Sequence, residues 1–214
     1  MRPTYATNKP TTRLFVGDAC EVMQDLQLAS EAFQLIVVDP PYNFNRSYDT
    51  WDDNISTKDY KDFTDTWLGH ASRLLAPEGS LWILVPDEIV SFVDIQATEG
   101  YGLTRVNWCI WHYRFGQCTN AKFIRSKAHL LYYSKGKQRI WHPENIMVQS
   151  DRASKYNDQR TKSSSTPGLR VPLDVWYGDY MGRVQGSNAE RRPTHDNQVP
   201  ELLVERILKS CTNA

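Results

Sequence analysis

The chain has 214 residues, 40% of them hydrophobic and 12% aromatic, with 25 basic and 25 acidic side chains. That is enough apolar mass for one large domain without disulfide or metal staples, so disorder is not the default. No run approaches the eighteen or so apolar residues of a membrane span, and the opening MRPTYATNKPTTR lacks a signal peptide's apolar stretch, so a soluble cytoplasmic protein is expected.

In chain order, Arg13 to Val16 is a short apolar run broken at Gly17-Asp18, and Glu21 to Leu28 carries Val22, Met23 and Leu26 at helical spacing. Phe33-Gln-Leu-Ile-Val-Val38 has the composition of a strand buried on both faces, and Asp39-Pro-Pro-Tyr42 ends it abruptly. Asn43 to Asn54 is polar, aromatic-studded and aperiodic, a long loop of the kind that is usually functional. Lys58 to Leu75 repeats Tyr60, Phe63, Trp67, Ala71, Leu74 and Leu75 at steps of three and four, an amphipathic helix that Pro77-Glu-Gly79 should terminate. Ser80 to Val85, Val106 to Tyr113 and Ala128 to Ser134 read as further strands, with Trp108 and Trp111 as core residues, and Pro200 to Lys209 as a last helix. Strands alternating with helices predict an α/β fold with a mostly parallel sheet.

The balanced charge conceals a split. Residues 1–113 hold 8 basic and 16 acidic side chains, residues 114–192 hold 15 and 6, and residues 193–214 hold 2 and 3. Within the basic block, Lys155 to Arg170 is too poor in apolar residues to be core, and a basic Ser-rich surface segment suits a phosphate backbone, a solvated face without a partner being the alternative. Cys20, Cys109, Cys118 and Cys211 are scattered, without metal-like spacing, so free thiols and no metal are expected.

Asp39-Pro40-Pro41-Tyr42 carries the chemistry. It stands at the C-terminal end of a strand, where α/β sheets present ligands. Two prolines fix φ and remove two donors, leaving a stiff platform of acceptors. Asp39 and the Pro40 carbonyl can accept both N–H groups of an exocyclic amine, and Tyr42 offers a face for stacking, worth about 1–3 kcal/mol per base. A base inside duplex DNA must be flipped out to reach such a pocket. A strand-ending turn in which Asp39 caps and Tyr42 packs is the alternative.

This motif, after its apolar strand, preceded by Gly17-Asp18 and followed by the Asp59 to Leu75 helix and Pro77-Glu-Gly79-Ser80, resembles the S-adenosylmethionine-dependent DNA amino-methyltransferases, specifically the permuted group with an N-terminal catalytic motif. The late run from Glu190 through Pro-Thr-His-Asp-Asn-Gln-Val-Pro to Leu208 resembles that group's cofactor-side segment. The resemblance implies a Rossmann-like, doubly wound catalytic core over residues 1–134, a basic target-recognition insert over 135–192 and a return to the core over 193–214. It implies that Asp39, Pro40, Pro41 and Tyr42 form the catalytic motif, and that Asp18, Asp39, His195, Asn197, Gln198 and Pro200 face the cofactor. Asp18 and Asn197 also suit helix N-caps.

In that family Asp rather than Ser in the motif's first position favours adenine N6 over cytosine N4, so the resemblance implies adenine N6 in double-stranded DNA, as in restriction–modification, as the methylated amine. Cytosine N4, RNA, or DNA binding without catalysis are the alternatives. Arg114, Lys122, Arg125, Arg152, Lys155, Arg160 and Lys162 are DNA-contact candidates by location, and the Phe115 to Phe123 loop is a candidate wall of the target pocket. No Phe-x-Gly-x-Gly turn is present, and Gly100-Tyr-Gly102 reads as an ordinary turn. The expectation is therefore a chain incomplete at its C-terminus, with a further C-terminal segment or a homodimer as open partners and an exposed sheet edge as the consequence.

Overall fold

The computed structural model describes residues 2–8, 11–46, 52–114, 116, 118–161, 165–178, 181–184, 188–192 and 197–213. They form two compact units. One comprises Met1–Val106 and Leu131–Arg139, the other Asn107–Leu130 and Ile140–Ala214.

In the first unit, β1 (Tyr5–Asn8) and β2 (Thr11–Leu14) pair antiparallel as a separate two-stranded ribbon. The Arg13 to Val16 run is thus not a core strand. With Leu14 its single apolar residue, β2 is exposed along its whole length. Helix α1 (Ala19–Leu28) begins at Asp18, whose carboxylate accepts the Cys20 and Glu21 N–H groups, and ends before β3 (Phe33–Val38). Helix α2 (Thr57–Leu74) buries Tyr60, Thr64, Trp67, Leu68, Ala71 and Leu74, the face expected from the spacing, though Phe63 is only half-buried. Gln27 of α1 ties the two helices by donating to the His70 carbonyl at 3.0 Å. Burial, and then the nearby Arg73 cation, lowers the His70 pKa.

The helix stops at Leu74, earlier than the Pro77-Glu-Gly79 signal, and β4 (Leu75–Val85) starts at once. β4 runs parallel to β3, with Phe33 opposite Leu75 and Leu35 opposite Ser80, so residues 76–79 loop out of the ladder. Gly79 is needed there: a Cβ would stand 2.8 Å from the Phe33 carbonyl oxygen. Lys135 closes the α2 C-terminus, its ammonium donating to the Leu75 carbonyl at 2.6 Å and the Arg73 carbonyl at 3.3 Å. Helix α3 (Val90–Ile95) follows β4 and winds out through Gln96–Gly100 to a turn at Gly102, φ +65°.

β5 (Thr104–His112) and β6 (Lys127–Ser134) contribute to both units. The remaining short elements are β7 (Val148–Gln149), α4 (Asp151–Ser154), β8 (Leu169–Arg170) and β9 (Val175–Trp176), before helix α5 (Glu201–Cys211). The main sheet has the order β3-β4-β6-β5-β9, with β5 and β9 parallel like β3 and β4. This is the expected α/β class with a mostly parallel sheet. β3 is its edge, however, and Val37 is 37% exposed, so β3 is not buried on both faces.

Leu81, Ile83, Leu84, Leu131 and Tyr133 are fully buried in the first unit, and Trp82 stacks on Tyr132 with centroids 4.4 Å apart. In the second unit Leu203 and Ile207 of α5 are fully buried, and Trp111 donates to the Met181 carbonyl. Trp108 is half-buried, its indole N–H donating to His129 at 2.8 Å. The α5 C-terminus is held by His142, which donates its N–H to the Ser210 carbonyl at 2.8 Å. Cys109 and Cys211 are buried, Cys20 is half-buried, Cys118 is exposed, and all four are thiols rather than disulfides. No helix among the described residues is long and apolar enough to cross a membrane.

Candidate active site

β3 delivers Asp39 to its C-terminal end, and Pro40-Pro41, lacking N–H groups, leave the ladder there. Asp39 is exposed, Pro40 buried, Pro41 and Tyr42 half-buried. The Tyr42 hydroxyl donates to Asp39 Oδ1 at 2.9 Å, so the aromatic ring and the carboxylate are one unit spanning the two prolines. Phe44 stands edge-on to Tyr42, centroids 5.8 Å apart at 79°. From α2, the buried Tyr60 hydroxyl donates to the Pro41 carbonyl at 2.8 Å, fixing the platform from below.

The chain then folds around Asp53. Its carboxylate accepts the Asn43 N–H on Oδ1 at 2.8 Å and the Phe44 and Arg46 N–H groups on Oδ2 at 2.8 and 3.0 Å. Its carbonyl accepts the Asn45 N–H at 2.7 Å. Asn43 and Asn45 adopt φ +58° and +56°, a left-handed conformation that Asn tolerates better than most residues. The Asn43 side chain both donates to the Ile55 carbonyl and accepts its N–H, each at 2.9 Å. Asp53 is only 2% exposed. Sequence reading found the loop and missed Asp53, Phe44 and the Tyr60 bond. The two left-handed asparagines beside the motif are the available signal.

Asp18 is the α1 N-cap, its Oδ1 accepting from Cys20 at 2.7 Å and Glu21 at 3.3 Å. Burial first, and then the Asp18 carboxylate, raises the Cys20 thiol pKa. Beside it, Gly17 has φ +153° and nothing within 4 Å of where a Cβ would stand. S-adenosylmethionine carries a sulfonium and an ammonium cation, N–H donors on a flat adenine and hydroxyls on a ribose. Exposed carboxylates at Asp18 and Asp39, with side-chain-free backbone open at Gly17, fit such a molecule.

The late cofactor candidates lie in the second unit. Gln198 accepts the Arg192 N–H and donates to the Glu190 carbonyl, each at 2.9 Å. Asn197 is exposed and does not cap α5: Pro200 occupies the cap position without a side-chain bond, and the Glu190 carboxylate takes the Glu201 N–H instead. His195 lies outside the described residues, as does Lys162.

Of the DNA-contact candidates, Arg114 and Lys122 are exposed and Arg125 half-buried, on the segment joining β5 to β6 where Phe123 is fully exposed. Phe115 lies outside the described residues. Arg152 and Arg160 both pair with Asp158, at 3.6 and 2.8 Å, and Lys155 pairs with Asp151 at 3.1 Å. The Arg160 guanidinium first, with its N–H and then Arg152, pulls the Asp158 carboxyl down to about 2. No group of side chains suited to a metal ion occurs among the described residues.

A family model described as DNA methylase, for the N6/N4 methyltransferases, matches residues 33–214. The type II methyltransferase M.HpaI of Haemophilus parainfluenzae is 26% identical over 201 residues, 94% of this chain and 60% of its own length. Two solved structures share the fold. The PvuII DNA methyltransferase (cytosine-N4-specific) aligns with TM-score 0.63 and 14% identity over 99% of this chain and 73% of that one. The complex of M1.HpyAVI with S-adenosylmethionine aligns with TM-score 0.51 and 16% identity over 93% of this chain and 76% of that one. With the Asp-Pro-Pro-Tyr platform at the end of β3 and a family match running from β3 through α5, the chain belongs to the N6/N4 family of DNA methylases.

Proposed function

We propose that the chain catalyses methylation of the N6 amino group of adenine flipped out of double-stranded DNA. The observation that carries this reading is the Asp39–Tyr42 bond. One hydrogen bond joins an exposed acceptor to a ring that can support a base, across two prolines that donate nothing. Asp39 and the Pro40 carbonyl accept the two amine N–H groups, which turns the nitrogen lone pair away from them. Tyr42 supports the base by stacking, and Tyr60 keeps the Pro41 peptide from shifting. S-adenosylmethionine, when bound, supplies an electrophilic methyl group on a sulfonium, and Asp18, Asp39, Asn197, Gln198, Pro200 and His195 are the residues assigned to hold it. Positioning and orientation then supply the rate. Arg114, Lys122, Arg125, Arg152, Lys155, Arg160 and Lys162 supply phosphate or base contacts from the basic block.

Asp in the first motif position supports adenine. The fold neighbour, the PvuII DNA methyltransferase, is cytosine-N4-specific, which makes N4-methylcytosine the second reading. Unmethylated DNA incubated with the chain and methyl-labelled S-adenosylmethionine, then digested to nucleosides, separates them. Label in N6-methyl-2′-deoxyadenosine is expected, label in N4-methyl-2′-deoxycytidine supports the second reading, and no label overturns both. Asp39→Ala should abolish transfer with DNA affinity nearly intact. Equal loss of both would remove Asp39 from the assigned role.

A further inference from the structure

We propose that Asp53 is the positioning residue of the base platform: it sets where Tyr42 and Phe44 stand by gathering four consecutive backbone N–H groups, 43 to 46, onto one buried residue. This rests on the methyltransferase reading above and goes beyond the Asp-Pro-Pro-Tyr tetrapeptide. Asp53 does not touch the reacting groups. It is 2% exposed, and both carboxylate oxygens are taken by loop amides. Its reach is through the backbone. The Tyr42 residue lies between two held peptides, the Pro41 carbonyl bonded by Tyr60 on one side and the Asn43 N–H bonded by Asp53 on the other. The Phe44 ring that meets Tyr42 edge-on rides on the next amide, also on Asp53.

The chemistry explains why a carboxylate serves here. Three backbone donors converge on one side chain, and only an acceptor-only group with two oxygens satisfies all of them. Asparagine has the same size but turns one oxygen into a donor. It therefore meets either the Asn43 N–H or the Phe44 and Arg46 pair with a second N–H. The left-handed φ of Asn43 and Asn45 is what lets successive amides point inward at a single residue.

Asp53→Asn and Asp53→Ala are the tests, read on the full chain. With labelled methyl donor and unmethylated duplex, kcat should fall on the order of 100-fold, as for a displaced reacting group, while KM for the donor and the DNA Kd move by less than about threefold. In hydrogen exchange, the 43, 44 and 46 amides should be protected in the parent and lose protection in both variants, while α2 keeps its own. On a Tyr42→Ala background, Asp53→Asn should cost almost nothing further, because the ring it places is gone.

Unchanged kcat in both variants overturns the proposal. So does an Asp53→Asn penalty as large in the Tyr42→Ala background as in the parent, which is the mark of a purely structural role, or parent amides 43, 44 and 46 that exchange freely. A parent chain that transfers no methyl group faults the enzymatic reading instead, and the exchange pattern then decides for or against Asp53 alone.

Discussion

Among single residues, Tyr60 shows most directly how packing and chemistry meet. Its ring is 5% exposed in the α2 face, and its hydroxyl holds the Pro41 carbonyl at 2.8 Å. Tyr60→Phe keeps the buried ring and removes the donor, leaving that carbonyl short of a partner at a cost of about 1 kcal/mol of stability. Transfer should fall severalfold and the Tm by about 2–4 °C. An unaltered kcat would show that the Pro41 peptide needs no support. At this scale the tetrapeptide was legible, because two adjacent prolines after an apolar run leave few conformations open. Asp53 was not legible. Asp52 and Asp53 are neighbours of one type, and closure of the loop alone makes one exposed and the other buried. Asn197 misled for a similar reason, since the free Glu201 N–H is taken by Glu190, eleven residues upstream.

Elements whose periodicity coincides with burial were read correctly to within a residue or two: α2, β5, β6 and α5. Arg13 to Val16 and Phe33 to Val38 are both short apolar runs, the second the stronger strand signal, and only β3 joins the main sheet, because pairing partners are a property of the sheet and not of the strand. The basic segment from α4 onward carries its own prediction. Asp158 faces Arg160 and Arg152, and its depressed pKa means that these pairs are fully formed above the ordinary 3.8 and lost only as the pH falls through about 2. Near neutrality, then, phosphates must compete with Asp158. Asp158→Asn should tighten duplex binding at low salt and steepen the slope of log K against log salt by up to about two, close to 0.9 per freed cation. An unchanged slope would remove Arg152 and Arg160 from the phosphate contacts.

For the molecule as a whole, the α/β class followed from alternation, and the charge split marked the second half as distinct before any coordinates. The structural units nonetheless divide along β5 and β6, a boundary no composition shift announces, because it is drawn by contacts between segments distant in sequence. The four thiols are distributed unequally over this architecture. Burial, and then the Asp174 carboxylate, pushes Cys109 up to about 12, Cys211 is buried, and burial and then the Asp18 carboxylate raise Cys20, which leaves Cys118 exposed between β5 and β6. Since the thiolate is the nucleophile, a maleimide or disulfide reagent near neutral pH should react fastest with Cys118, more slowly with the half-buried Cys20, and with Cys109 and Cys211 only on unfolding. Fast reaction of a third equivalent in the folded chain would contradict the burial pattern. The protein thus comes with its own labelling handle: a dye on Cys118 sits four residues from Lys122 and reports on DNA approaching that segment without any engineered cysteine.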